Sequence, residues 1–129
     1  MITLADIALV VPDQDQALRF YVDVLGFSVI EDRLIDGKRW VRIKAGRAGL
    51  VLRRASDDDQ RARIGNQTGG SVFLFLETDD FAGALARLRA ANDEVVNGPR
   101  DEPYGQVIVF WDPFGNKLDL IAPSAERAR

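Results

Sequence analysis

The stretch that decides the fold runs from residue 6 to residue 27 and reads DIALVVPDQDQALRFYVDVLGF. Residues 7–11 are all apolar and predict a strand that carries Ile7, Leu9 and Val11 on one face. Asp13 follows the strand and is an N-cap candidate for a helix. Apolar side chains then recur at helical spacing over residues 14–25, and Gly26 is a typical C-terminal stop. The stretch therefore predicts a strand that leads directly into an amphipathic helix.

The same pattern occurs again from residue 71, where SVFLFLETDD predicts a strand and FAGALARLRAA predicts a helix. Three further strand-like segments follow the helix in each half, and Asp13 and Asp80 occupy matching positions 67 residues apart. Such an internal repeat indicates one supersecondary unit used twice. We therefore predict an α+β protein of two tandem βαβββ modules with antiparallel sheets and one helix behind each sheet. The predicted bounds are residues 1–54 and 71–123 for the modules and 124–129 for a tail.

Residues 55–70 connect the two modules and are first charged, then rich in glycine, with no hydrophobic period. This composition predicts a connection without regular structure. Two roles stay open for it: a plain solvated connection, and a lid that covers a bound ligand, because loops near sites often carry function.

The composition narrows the function and the location of the chain. Of its 129 residues, 47% are hydrophobic and 29% charged, which is typical of a globular domain. The net charge of −3 argues against nucleic acid as a partner. The N-terminus lacks the features of a signal peptide, and no apolar run approaches the ~20 residues that span a bilayer. We therefore expect a cytoplasmic protein that does not bind membranes.

The chain contains neither cysteine nor histidine. The lack of cysteine excludes disulfides, thiolate catalysis and cysteine-based metal sites. The lack of histidine removes the most common general base and the most common ligand for zinc, iron and nickel. Any catalysis must therefore use carboxylates, tyrosine, serine, threonine, lysine or arginine.

Three segments carry a family resemblance: DIALVVPDQDQALRFYVDVLGF, TDDFAGALARLRA and WDPFGNKLDLI. In this order and spacing they resemble the vicinal oxygen chelate superfamily, over about residues 3–122. That superfamily includes glyoxalase I, extradiol dioxygenases, fosfomycin-resistance enzymes and bleomycin-resistance proteins. The resemblance implies that the sheets of the two modules curl into an open cup with the helices outside. It also implies a homodimer.

The resemblance further implies where the four metal ligands of metal-dependent members would fall. In this chain those positions are Asp6, Val51, Phe73 and Asp119. Two of the four are hydrocarbon side chains, so we expect no cofactor. In the alternative, Asp6, Glu77 and Asp119 hold a hard ion such as Mg²⁺, Mn²⁺ or Ca²⁺. Arg42 and Arg53 would then offset part of their negative charge.

Strand alternation predicts which side chains face the cup, although a shift of one residue would invert any strand. Tyr104, in the turn DEPYGQ, either caps the mouth of the cup or packs within its own turn. A largely aromatic concavity with few charges is typical of a small-molecule site, and it suits flat or cationic ligands. The predicted lining residues are Asp6, Trp40, Arg42, Val51, Arg53, Phe73, Phe75, Glu77, Ile108, Phe110 and Asp119.

These features favour a metal-free binding protein that resembles the bleomycin-resistance branch. It would sequester a hydrophobic or aromatic natural product and so confer antibiotic resistance. Whether the chain is an enzyme stays open, because a lyase, an isomerase or a dioxygenase would use the same cup. Such an enzyme would use Asp6, Glu77 and Asp119 around a metal, or one of these carboxylates as a base. A third option is an accessory protein that binds a biosynthetic intermediate without changing it.

Overall fold

A computed structural model describes residues 1–124, so most of the predicted tail lies outside the described residues. The chain divides into two compact units, of which unit 1 is Met1–Ile64 and unit 2 begins at Gly65. Each unit contains one four-stranded sheet, and in each the chain forms a strand, a helix and three further strands. The predicted pair of tandem βαβββ modules is therefore confirmed.

Unit 1 begins with the strand and helix of the repeat. Asp13 caps helix α1, because its carboxylate accepts a hydrogen bond of 2.9 Å from the backbone N–H of Gln16. The helix continues as a wider π-helical segment over Arg19–Val24, and Gly26 follows it with a φ of +86°. The elements of unit 1 are β1 (Asp6–Val11), α1 (Gln14–Leu18), β2 (Ser28–Ile35), β3 (Lys38–Ala45), β4 (Ala48–Arg54) and α2 (Asp58–Arg61).

Gln14 fastens α1 to the sheet of unit 1. Its side chain is buried, and its Nε2 donates to the backbone oxygens of Arg39 at 3.1 Å and Leu52 at 2.9 Å. This polar side chain is tolerated in the interior because it is hydrogen-bonded there. The helical segments bury Ala17, Phe20 and Tyr21 in the same core. Phe20 does not fit the regular helical spacing of apolar residues that the sequence predicts, because the π-helical turn changes the spacing of side chains along the helix.

The sheets are mixed, so the prediction of wholly antiparallel sheets is wrong. In unit 1 the strand order is β1-β4-β3-β2, and β1 runs parallel to β4. The pairs β2–β3 and β3–β4 are antiparallel. The physical reason is the connection through α1, which returns the chain across the sheet and allows the first and last strands to run in the same direction.

Unit 2 repeats this order, with β5-β8-β7-β6 in its sheet and β5 parallel to β8. Asp80 caps its helix as Asp13 caps α1, and accepts a bond of 3.0 Å from the N–H of Gly83. The core of the unit contains Leu88, Phe110 and Leu118, each at most 1% exposed. The elements of unit 2 are β5 (Val72–Glu77), α3 (Phe81–Ala90), β6 (Val95–Glu102), β7 (Gly105–Trp111) and β8 (Lys117–Pro123).

The turn between β7 and β8 is held by two buried polar residues. Oδ1 of Asp112 accepts from the backbone N–H of Phe114 at 2.9 Å and of Asn116 at 2.8 Å. Its Oδ2 accepts from the side-chain amide of Asn116 at 2.7 Å. Gly115 provides the φ of +98° that the turn requires. The segment DPFGN therefore sets the start of β8 and the facing of every residue on it.

The connecting segment contains more order than its composition predicted. Residues 58–61 form the one-turn helix α2, capped by Asp57, whose carboxylate accepts at 2.8 Å from the N–H of Gln60. The prediction of no regular structure is wrong at this point, because the cap and the Arg61–Asp58 ion pair stabilise a single turn. Across the described chain, the helices are all too short and too polar to cross a membrane.

Candidate functional site

In unit 1, the register of the sheet places the predicted residues on one face. Asp6 lies two residues before Ala8 on β1, and Ala8 pairs with Val51, which in turn pairs with Arg42. Paired residues in a ladder lie on the same face of a sheet, as do residues two apart on a strand. We call this surface the Asp6 face, and Asp6, Trp40, Arg42, Val51 and Arg53 share it, as strand alternation predicts.

On the Asp6 face, Arg42 occupies both oxygens of the Asp6 carboxylate. Its Nε donates to Oδ2 at 3.0 Å and its Nη2 donates to Oδ1 at 3.2 Å. The Nη1 of the same guanidinium donates to Glu31 at 2.6 Å, and Arg33 approaches the other oxygen of Glu31 at 3.1 Å. Gly49 lies beside Asp6 on β4, and a Cβ at Gly49 would collide with the carboxylate. The carboxylate of Asp6 is therefore already paired and fitted into place.

The arginines keep the carboxylates of unit 1 charged. The hydrogen bond from Arg42 lowers the pKa of Glu31 below its usual value, and the nearby charge of Arg33 adds to this effect. Arg39 lowers the pKa of Asp32 in the same way, through bonds of 2.8 Å to both of its oxygens. Glu31 and Asp32 therefore carry charges that neighbouring arginines compensate.

In unit 2, three predicted residues share a second face. Phe75 on β5 pairs with Asp119 on β8, and Asp119 pairs with Val109 on β7. Glu77 lies two residues after Phe75 and pairs with Ile121, so it lies on the same surface. We call this surface the Asp119 face. The ring of Phe75 is 66% exposed there, an unusual degree of exposure for a phenylalanine.

Phe110 and Ile108 do not lie on the Asp119 face. Phe110 pairs with Leu118 and Ile108 pairs with Leu120, so both point to the opposite side of the sheet. Both side chains are 0% exposed. The prediction for these two residues is wrong by one residue. Val107 and Val109 lie on the Asp119 face in place of Ile108 and Phe110. Apolar residues fill β7 on both faces, so its composition held no sign of which face was which.

Phe73 lies in an irregularity of the β5–β8 ladder. Val72 pairs with Lys117 and Leu74 pairs with Leu118, so Phe73 is the extra residue of a bulge. Its side chain is half-buried. Because a bulge interrupts strict alternation, the facing of Phe73 does not follow from its spacing to Phe75.

Asp119 differs from Asp6 because one of its oxygens has no partner. Its Oδ1 is buried and makes no hydrogen bond among the described residues. Burial raises the pKa of Asp119, and the charge of Arg100 opposes this effect only in part. A buried acceptor without a donor costs free energy, roughly 1–3 kcal/mol in typical cases. Such a group is a natural attachment point for a ligand that donates a hydrogen bond.

Arg100 on β6 is a site residue that the sequence did not reveal. It pairs with Val107, which places it on the Asp119 face, and it donates to Glu102 at 3.0 Å and Asn97 at 2.6 Å. A hydrogen bond to Tyr104 raises the pKa of Arg100. Tyr104, 37% exposed, therefore lies in the β6–β7 turn as predicted and helps to orient this guanidinium. The register of β6 shifts twice, so alternation held no signal for Arg100.

A pocket of about 340 Å³ opens in unit 2 at the N-terminal end of β8. Lys117 and Trp111 are cross-strand partners there, and the Lys117 ammonium lies 5.6 Å from the centre of the Trp111 ring. Lys117 shares the Asp119 face, two residues before Asp119. The sequence contained this signal, because the same alternation that placed Asp119 also applies to Lys117. The lining residues are Gly65, Thr68, Gly70, Ser71, Trp111, Gly115, Asn116 and Lys117.

The donor atoms present do not fit the metal that the superfamily resemblance implies. Val51 and Phe73 have no donor atom, and Arg42 already engages both oxygens of Asp6. Over residues 1–124, no three or more histidine, cysteine, aspartate or glutamate side chains are grouped so as to hold a metal ion. The alternative set of Asp6, Glu77 and Asp119 takes residues from both units and stays a prediction.

Comparisons with known proteins agree with this architecture. An uncharacterised protein from Shewanella frigidimarina (strain NCIMB 400) is 44% identical over 124 residues, covering 92% of each chain. The crystal structure of TnmS3, an antibiotic binding protein from Streptomyces sp. CB03234, is 31% identical with a TM-score of 0.75, covering 96% of this chain and 98% of the other.

The fold is also shared with a more distant protein. FosX of Listeria monocytogenes, a fosfomycin resistance protein in complex with Mn(II) and sulfate, is 16% identical with a TM-score of 0.72, covering 98% of this chain and 95% of the other. At this identity the likeness concerns the fold alone. Residues 3–120 match the family described as the glyoxalase/bleomycin resistance protein/dioxygenase superfamily. With both modules, their strand order and this match in agreement, the chain belongs to that superfamily.

Proposed function

We propose that this protein binds a hydrophobic or aromatic natural product without a metal ion and sequesters it, as an antibiotic resistance protein does. The observation that carries the proposal is the Asp119 face. An exposed phenyl ring, Phe75, lies beside a carboxylate whose Oδ1 has no hydrogen-bond partner within residues 1–124. An aromatic surface next to a carboxylate suits a flat ligand with a cationic or hydrogen-bond-donating group.

Two further observations support this proposal. TnmS3, which is 31% identical to this chain, is described as an antibiotic binding protein. The donor positions of metal-dependent relatives are hydrocarbon here at Val51 and Phe73, and Asp6 is paired with Arg42. A carboxylate held by a bidentate guanidinium is a poor metal ligand, because the arginine would first have to be displaced.

The proposal includes the setting in which the protein works. It acts in the cytoplasm as a homodimer, and Trp40, Phe73 and Glu77 are among its ligand-binding residues. Light scattering on the purified chain measures the oligomeric state. A strictly monomeric protein that still binds ligand would remove the dimer from the proposal and leave the binding function in place.

The main test is calorimetric titration with bleomycin and with doxorubicin, which joins a flat aromatic ring system to an aliphatic amine, after dialysis against EDTA. We expect binding near one ligand per chain, with no change when Mg²⁺ or Mn²⁺ is added. Phe75→Ala and Asp119→Asn should each weaken binding by about tenfold, since a tenfold change corresponds to ~1.4 kcal/mol, a typical loss for a well-placed contact. Leu34→Ala, at an apolar residue that is 74% exposed on β2, is the matched control.

Two outcomes would contradict the proposal. If neither compound binds at millimolar concentration, natural products of this aromatic class are not the ligands. If the compounds bind only when a divalent ion is present, the site is metal-dependent and the metal-free part of the proposal is wrong. Native mass spectrometry of protein purified from its own host is a second measurement, because a retained small molecule identifies the ligand class directly.

The raised pKa of Asp119 favours one alternative, a metal-free lyase or isomerase. A buried carboxylate with a raised pKa can take a proton from a substrate or return one to it, as a general base or acid does. In that case Asp119→Asn would abolish turnover while changing substrate affinity little. In the sequestering protein the same substitution would weaken affinity, and the bound compound would be recovered unchanged by mass spectrometry.

A further inference from the structure

The pocket at the start of β8 is formed by two segments of unit 2 that come together. One is the glycine-rich segment 65–71, and the other is the β7–β8 turn with its flanking residues Trp111 and Lys117. A Cβ at Gly65 would collide with the backbone oxygen of Phe114, so only glycine permits this close approach. Thr68 closes the segment on itself, because its hydroxyl donates to the backbone oxygen of Ser71 at 2.7 Å. The pocket is therefore built by specific contacts.

The charge within this pocket has one sign. Lys117 is the only charged residue among those that line it, and no aspartate or glutamate lines it. Within residues 1–124, Lys117 forms no ion pair, and its ammonium lies over the ring of Trp111. A cation–π contact of this kind leaves the ammonium N–H groups able to bind an anion.

We propose that this pocket binds a small aromatic anion, with its carboxylate on Lys117 and its ring against Trp111. The indole provides the flat apolar wall, and Gly70 and Gly115 leave room beside it because they carry no side chain. The volume lies at the lower end of the range for small-molecule sites, which suits a ligand of one or two rings. The site goes beyond the proposed function, since it requires neither Phe75 nor the unpaired oxygen of Asp119.

The test uses the full chain and three probes in calorimetric titrations: 2-naphthoate, the neutral 2-naphthamide and inorganic phosphate. We expect one 2-naphthoate per chain, with the amide and phosphate each bound at least about tenfold more weakly. The amide lacks the charge, and phosphate lacks the ring. Raising the salt to 0.5 M should weaken 2-naphthoate binding, because ions screen the contact with the exposed part of Lys117.

Lys117→Gln should weaken 2-naphthoate binding by about tenfold, the size of a lost charge-assisted hydrogen bond. Lys44→Gln, which removes an exposed lysine from β3 of unit 1, is the matched control and should leave affinity unchanged. Equal affinity for the acid and the amide, equal affinity for phosphate, or no effect of Lys117→Gln would each overturn the proposal.

The same titrations separate this site from the proposed function. Bleomycin and doxorubicin are measured with the Lys117→Gln protein, and 2-naphthoate with the Phe75→Ala protein. If 2-naphthoate fails to bind while the antibiotics bind, only the inference on the Lys117 pocket is lost. If 2-naphthoate binds and depends on Lys117 while neither antibiotic binds, the pocket stands and the proposed function falls.

Discussion

In unit 1 the Asp6 carboxylate accepts two hydrogen bonds from Arg42, whereas in unit 2 the buried Oδ1 of Asp119 accepts none from the residues that the structure describes. The two modules repeat one fold, yet they carry their carboxylates on different strands. Unit 1 has Asp6 on its first strand and Val51 on its last, while unit 2 has Phe75 on its first strand and Asp119 on its last. The same backbone fold therefore supports the Asp6 face, where the carboxylate is paired with an arginine, and the Asp119 face, where a carboxylate oxygen can still accept a hydrogen bond.

The pKa shifts follow the same division and have opposite consequences for stability. In unit 1, Arg42 and Arg39 lower the pKa values of Glu31 and Asp32. Their contribution is complete above the unfolded-state pKa, near 4, and is lost as pH falls through the lower folded value. In unit 2, burial raises the pKa values of Asp93 and Asp119, so these groups begin to oppose folding as the pH rises above the unfolded-state pKa, near 4, and oppose it fully above the raised folded values.

The largest predicted effect separates two phenylalanines that the sequence had grouped together. Phe110→Ala should lower the free energy of unfolding by about 3–5 kcal/mol, because it empties a fully buried site. Phe75→Ala should change it by less than about 0.5 kcal/mol, since that ring is 66% exposed. Urea denaturation of both variants measures the difference, and similar losses would mean that the assignment of the two faces is wrong.

The next effect concerns Asp93, whose pKa burial raises to about 6, with the charges of Asp112 and Glu94 adding to the shift. Because the folded pKa is above the unfolded one, stability should fall as pH rises from 4 to 7. Asp93→Asn should therefore raise the free energy of unfolding at pH 8 by about 1 kcal/mol, after allowance for the solvent screening of a half-buried group. At pH 4 the variant and the parent should match, and a gain at both pH values would contradict this explanation.

Asp119→Asn tests the unpaired oxygen itself. The amide keeps the shape of the carboxylate and removes the buried charge, so stability at pH 8 should stay equal or rise by up to about 1 kcal/mol. The gain should shrink on acidification, because the parent carboxyl then takes up its proton. A loss of stability at pH 8, measured by urea denaturation, would show that this carboxylate is paired in solution.

The smallest effect should come from an exposed ion pair in unit 1. Arg39 bonds Asp15 at 2.7 Å and Asp32 at 2.8 Å, but the Asp15 side chain is 63% exposed. Arg39→Met should therefore lower the free energy of unfolding by less than about 1 kcal/mol. Arg42→Met is the comparison and should be the more damaging change in urea, because it leaves Asp6 without a partner. If Arg39→Met lowers the free energy of unfolding more than Arg42→Met does, the distinction between the half-buried Arg42–Asp6 pair and the exposed Arg39 pairs is wrong.

The sequence predicted most of the fold because helix caps, helix ends and hydrophobic periods, which define the repeat, are all local features of the sequence. Asp13 and Asp80 cap their helices as expected, and Gly26 ends the first helical segment. Parity also placed Asp6, Arg42 and Val51 together, because β1, β3 and β4 pair there without a register shift. Local propensity and hydrophobic period are properties of short stretches, so they can be read without knowledge of partners.

The candidate site was predicted less completely, because facing depends on register. β7 is apolar on both faces, so Phe110 and Val109 could not be distinguished until the ladder with β8 was known. β6 shifts register twice, which hid Arg100. The meeting of segment 65–71 with the β7–β8 turn depends on a contact between Gly65 and Phe114, which lie far apart in sequence.

By itself the sequence determined the two modules, their caps, the superfamily and the carboxylates at two of the four positions where the resemblance implies metal ligands. Only the tertiary structure decided which carboxylate is satisfied and which is not. The chemistry of an aspartate depends on the donors within about 3 Å of it, and those donors come from other strands. Arg42 reaches Asp6 across β4, while no donor in the described part of the chain reaches Oδ1 of Asp119.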